Sequence, residues 1–141
     1  MAIGDGPTVK AFVHSITATA ADIDELGHVN NAVWVRWIQE VATAHWTAVA
    51  APEHLARWIW VVVRHEIDYL GNVVAGETVK ARTWINDPPK GARFDRNMEF
   101  ENAAGKVVVR CKTTWAIVDR ASGRIARVPR DVAEPFLKDA D

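Results

Sequence analysis

A single cysteine, Cys111, in 141 residues excludes an intrachain disulfide and makes a reducing, cytoplasmic setting the expectation. No apolar run approaches the roughly 20 residues of a membrane-spanning helix, and the longest, residues 58–63, suits an ordinary core segment, so no membrane partner is expected. The N-terminus has no basic stretch leading into an apolar one, so no secretory signal is expected. An excess of one charge is also missing. The 17 Lys and Arg against 18 Asp and Glu leave a net charge of −1, which argues against a nucleic-acid partner bound through bulk charge. There is no His-Glu-x-x-His, Cys-x-x-Cys, Gly-x-Ser-x-Gly or P-loop pattern. His14, His45, His54 and His65 stand at no ligand spacing, so no metal is expected.

The material present is that of a globular chain: 49% hydrophobic and 25% charged, enough for one core and one domain over 1–141. Seven tryptophans read as core fillers, with some left for an interface, so an oligomer is a reasonable expectation.

Periodicity orders the elements. Residues 8–19 alternate and predict a strand. A polar turn follows over 20–30. Residues 31–50 carry Trp34, Trp37, Ile38, Val41, Ala44 or His45, and Ala48 at helical spacing, with Arg36, Gln39, Glu40 and Thr43 between them. That predicts a helix of about 30 Å, largely wrapped by other elements, capped by Asn30 and ended by Pro52. Strands are predicted over 58–69, buried on both faces at its start, and over 78–86, 93–101 and 106–119, with turns at 71–77, 87–91, 102–105 and 121–123. Residues 129–137 predict a short closing helix. One strand, one long helix and four strands joined by short turns give an α+β layout, a helix laid on a five-stranded antiparallel sheet.

The chemistry concentrates in Asp22-Ile23-Asp24-Glu25-Leu26-Gly27-His28-Val29-Asn30-Asn31. A carboxylate, an imidazole and two amides crowd the start of the long helix, where free backbone N–H groups and the helix dipole favour negative charge. Asp22 reads as a loop-structuring acid, and Asn30 as a cap more than a catalyst. Gly27 suits a backbone of positive φ or room for a ligand. Cys111 lies in an apolar strand and reads as an inert buried thiol.

With Trp34 and Trp37 following, this run resembles the D-x-D-x-x-x-H-V-N-N-x-x-Y pattern of the hot-dog fold thioesterases, in the branch of the 4-hydroxybenzoyl-CoA thioesterases and related acyl-CoA and acyl-ACP thioesterases. Val63-Arg64-His65-Glu66-Ile67-Asp68-Tyr69 with Gly76 and Glu77 is similar to the family's second strand and its exit turn. The resemblance implies a long central helix wrapped by a five-stranded antiparallel sheet. It implies a homodimer joining two sheets edge to edge, often paired into a homotetramer, with active sites at the dimer interface. It implies hydrolysis of an acyl-CoA without a cofactor. Asp24 matches the catalytic carboxylate, as general base or nucleophile, and the Asn31 N–H matches the group that polarises the thioester carbonyl. His28 matches the histidine of the acyl-ACP version. The chain departs from the pattern at Leu26, where an asparagine often stands, and at Trp34, in place of tyrosine beside the acyl channel. Gly27, Asn30 and Trp34 are the substrate-binding candidates at the turn. Lys90 and Arg93, with Arg96 in the strand behind their turn, are candidates for the phosphates of coenzyme A, although each suits a solvated face; Arg64 is a candidate for a specific substrate contact, and equally suits a buried ion pair with Glu66 or Asp68. The alternatives are an acyl-ACP thioesterase, a non-catalytic acyl-thioester binder and, more weakly, a hot-dog dehydratase.

Overall fold

The computed structural model describes residues 6, 7 and 9–138. The elements are β1 (Phe12–Thr17), a 3-10 turn (Ala20–Asp22), α1 (Asn31–Val49), α2 (Pro52–Arg57), β2 (Trp58–Tyr69), β3 (Thr78–Trp84), β4 (Arg93–Glu101), β5 (Val107–Asp119), α3 (Arg130–Ala133) and a 3-10 turn (Glu134–Phe136). This is an α+β fold, one long helix against a five-stranded antiparallel sheet. The predicted first strand is shorter than its alternating pattern, and its start at Thr8 lies outside the described residues.

The sheet order is β1-β3-β4-β5-β2. The strands after the helix are therefore not a simple run of neighbours. β2 pairs with β5 at one edge, and the 70–77 connection crosses to β3, which lies beside β1. Being an edge strand, β2 is not buried on both faces at its start: Trp58 is buried, Ile59 and Trp60 are half-buried, and Val61 is exposed. The ladder with β5 slips between Val62 and Arg64. This bulge moves the inward set from Trp58 and Trp60 to His65 and Ile67, because an extra residue reverses the strand's alternation.

The helix buries one face only. Trp34, Trp37, Ile38, Val41, Ala42 and His45 are buried, while Gln39, Glu40 and Thr43 are exposed, so the chain leaves the other face of α1 open. Pro52 does more than end the helix. The chain turns extended at Ala50 and Ala51, and Pro52 opens α2 at its first position, where its missing N–H leaves no bond unmade.

Two apolar clusters fill the space between helix and sheet. One joins Trp34, Trp37, Ile38 and Val41 to Val79, Met98, Phe100 and Val109. The other joins Trp58, Ile85, Phe94 and Ile117 to Val132 and Phe136 of the closing segment. Between them runs a polar row of inward side chains: His45 from the helix, Thr83, Arg96, Thr113 and His65 from four strands.

Candidate active site

The turn before α1 is built by its own backbone. Asp24 N–H donates to the His28 carbonyl at 2.8 Å, Ile23 bridges Val29, and Asn30 N–H donates to the Asp22 carbonyl at 3.0 Å. The 22–24 and 28–30 arms thus face each other, and Gly27 closes the loop at φ +79, a conformation that strains other residues. Ile23 and Val29 point to the core. Period-two alternation then directs Asp24 and His28, a directly opposed pair, away from it. Val29 N–H donates to the Val73 carbonyl, which fixes the turn to the crossing connection.

Asp22 is buried. Its carboxylate accepts from Thr19 N–H (2.9 Å), Thr19 Oγ1 (3.1 Å) and Arg36 Nη2 (2.7 Å). These bonds, that from the Thr19 backbone first, hold its carboxyl below the ordinary range despite burial. It is the loop-structuring acid the sequence predicts. Asp24 is half-buried, and its Oδ1 accepts from the N–H groups of Leu26 (2.9 Å) and His28 (3.2 Å). Oδ2 accepts from no group among the described residues. The imidazole of His28, half-buried, is likewise without a hydrogen bond there.

Asn30 caps α1, its Oδ1 accepting from Ala32 N–H at 2.8 Å, and its carbonyl accepts from Val33 and Trp34. Of the donors in the first turn this leaves the Asn31 N–H, which has no acceptor among the described residues. A carboxylate oxygen and a helix N–H, both unoccupied, therefore lie on one short turn.

The other candidates scatter. Trp34 is 2% exposed and packs edge-on against Trp37 and Phe100, so in this chain it is core beneath the turn. Arg64 pairs with Glu66 at 2.9 Å as the sequence allows, but at the surface, its side chain 69% exposed. Lys90 and Arg93 face each other across a tight turn, both exposed. Arg96 is not on a solvated face: it points inward and is 7% exposed. Cys111 is fully buried, and burial pushes its thiol up to about 12.

A cavity of about 250 Å³ lies elsewhere, under the C-terminal half of α1, between Ala42, Thr43 and Trp46 above and Trp58, Trp60, Phe94, Arg96 and Trp115 below. Sequence reasoning passes over this cavity and takes its Arg96 for a solvated residue. The signal was parity: Arg96 sits between Phe94 and Met98 on the alternating inward face of β4.

Residues 18–136 match the sequence signature described as the thioesterase-like superfamily. A chloroplastic acyl-[acyl-carrier-protein] hydrolase of Cuphea viscosissima is 22% identical over 79 residues, 56% of this chain; the matched part is 19% of the relative's length. Among solved structures, a predicted thioesterase from Bacillus stearothermophilus superposes with a TM-score of 0.78 at 22% identity, covering 89% of this chain and 93% of that one. A hypothetical protein from Staphylococcus aureus in complex with CoA gives 0.78 at 16% identity, over 97% and 91%. At these identities the superpositions speak for a common fold.

Proposed function

The chain belongs to the thioesterase-like superfamily, and from that membership we propose that it hydrolyses an acyl-CoA thioester to a free acid and coenzyme A at the turn before α1. The observation that carries this reading is the unoccupied Oδ2 of Asp24 on the same turn as the unoccupied Asn31 N–H. Thioester cleavage needs an activated oxygen and a group to receive negative charge from the carbonyl. Asp24 takes a proton from the attacking water, or attacks the acyl carbon itself to give an anhydride that water then opens. The carbonyl oxygen gathers charge against the Asn31 N–H and the helix N-terminus. The C–S bond breaks, and the departing thiolate takes up the proton released from water. His28, opposite Asp24, orients the water or the carboxylate. Gly27 keeps the loop free of side chain, and Asn30 holds the helix start in place. Exposed Lys90, Arg93 and Arg64 suit the phosphates of the carrier. Acyl carrier protein is the second reading for the carrier, favoured by the carrier named for the Cuphea relative.

Free-thiol release from short, long and aromatic acyl-CoAs tests the reading. Asp24→Asn is expected to lower kcat by about a hundredfold or more, the usual worth of general-base catalysis, with little change in KM. Equal turnover by both proteins would overturn the assignment. Turnover with acyl carrier protein alone would replace the carrier.

A further inference from the structure

Arg96 is a buried cation that no group among the described residues neutralises. Its Nη1 donates to His45 Nδ1 at 2.7 Å and to Thr83 Oγ1 at 2.9 Å. Its Nε and Nη2 donate to no group among the described residues. Guanidinium carries no acceptor, so His45 must offer a lone pair at Nδ1 and is the neutral tautomer. Burial, with Arg96 beside it, holds His45 down to about 3, consistent with a neutral ring. Cys111 supplies no negative charge either, its thiol pushed up to about 12. Burial draws Arg96 down only to about 10, so it stays protonated at neutral pH. Among the described residues no Asp or Glu pairs with it or lines its cavity.

A cation out of water without an anion is costly, and the cost is recovered when a carboxylate meets its fork of N–H groups. The cavity around it is apolar and aromatic. Trp46 lies edge-on to Trp60 at 5.6 Å and stacks on Phe136 at 5.7 Å, and Trp60 leans on Phe94 at 6.1 Å. Trp115, also on the wall, buries its indole N–H without an acceptor among the described residues. Arg120 stands at the same cavity, held by the carbonyls of Leu55 and Ala56, and adds positive potential. A cavity of about 150 Å³ admits benzene, so the roughly 250 Å³ here has room for a ring with a short side chain.

We infer that this cavity binds an aromatic carboxylic acid, its carboxylate on the Arg96 guanidinium and its ring among Trp46, Trp60, Phe94 and Phe136. The site rests on Arg96 and the cavity alone and stands whether or not the chain turns over a thioester.

Calorimetric titration with 3-phenylpropionate and its neutral amide, 3-phenylpropionamide, tests it. Wild type is expected to bind the acid about tenfold or more tightly than the amide, the preference a charge-assisted bond gives. Arg96→Gln, which keeps a donor toward His45 and removes the charge, is expected to abolish that preference. Wild type with no preference, or Arg96→Gln with the preference intact, would overturn the inference. Should Arg96→Gln not fold, Thr43→Phe decides: this exposed helix position lines the cavity, and the larger side chain is expected to weaken binding of the acid. Acid affinity unchanged in Thr43→Phe would sink the proposal.

Discussion

Both carboxylate oxygens of Asp22 are occupied within the chain, by Thr19 and Arg36, while Asp24 two residues on keeps one oxygen free among the described residues. The difference lies in what each acid closes: Asp22 ends the 3-10 turn and bonds back to Thr19, whereas Asp24 bonds forward to the backbone of the loop it opens. Asp22 should therefore matter for stability. Its folded pKa lies below its ordinary value of 3.8. A carboxyl of that kind stabilises the fold at pH above the unfolded pKa, and the stabilisation is lost as pH falls through the folded one. Arg36 is mostly exposed, so the greater part of the effect belongs to the Thr19 bonds. Asp22→Asn is expected to lower stability by about 1–3 kcal/mol at pH 7, the worth of hydrogen bonds to a charged group. The gap between variant and wild type should narrow below pH 4. Urea unfolding at pH 7 and pH 3 checks this, and a gap that widened in acid would refute it.

At the scale of elements, α1 is the piece whose ends were legible. An amide cap, helical spacing of apolar residues and a proline after the end are local signals, and α1 runs within one residue of its expectation. Its cap also allows stability and chemistry to be separated. Asn and Asp cap equally well, so Asn30→Asp should change stability by less than about 0.5 kcal/mol, whereas Asn30→Ala should cost about 1 kcal/mol. The Asp variant puts a full negative charge beside the Asn31 N–H, where the carbonyl oxygen is proposed to gather charge. It is expected to lower kcat about tenfold or more, because that N–H would face a fixed anion. The Ala variant should lose stability with little change in kcat. Denaturation and thiol release on both proteins check the pair. β2 was less legible. An apolar run reads as a doubly buried strand, but its place at an edge depends on pairing with β5, far along the chain, and its bulge reverses the alternation midway. The inward Arg96 was hidden for another reason: arginine weighs as a solvent residue until the parity of its strand is followed.

For the whole molecule, the turn and the cavity occupy opposite ends of α1. From Asn31 to Ala42 and Trp46 the helix rises about 16–22 Å, so one chain does not bring Arg96 to Asp24. The long edge lies on the cavity side, since Trp58, Ile59 and Trp60 of β2 line it. β2 has 12 residues and exposes Val61 and Val63, whereas the opposite edge, β1, has 6. Among the described residues nothing pairs with the outer side of β2. A long edge left open, with exposed valines in its first half, is a template for another strand. A second copy joined there, the edge-to-edge dimer that the family resemblance implies, would cover the edge and set its own surface against the cavity wall. Light scattering coupled to size exclusion is expected to report a dimer or a multiple of it. Lysine on an edge strand blunts pairing, so the double variant Val61→Lys, Val63→Lys is expected to shift the mass to that of one chain. Val13→Lys, exposed on β1, is expected to leave it unchanged. A wild-type monomer, or an assembly dissociated by the β1 variant and not by the β2 pair, would place the contact elsewhere. The site at the turn would then have to work within one chain.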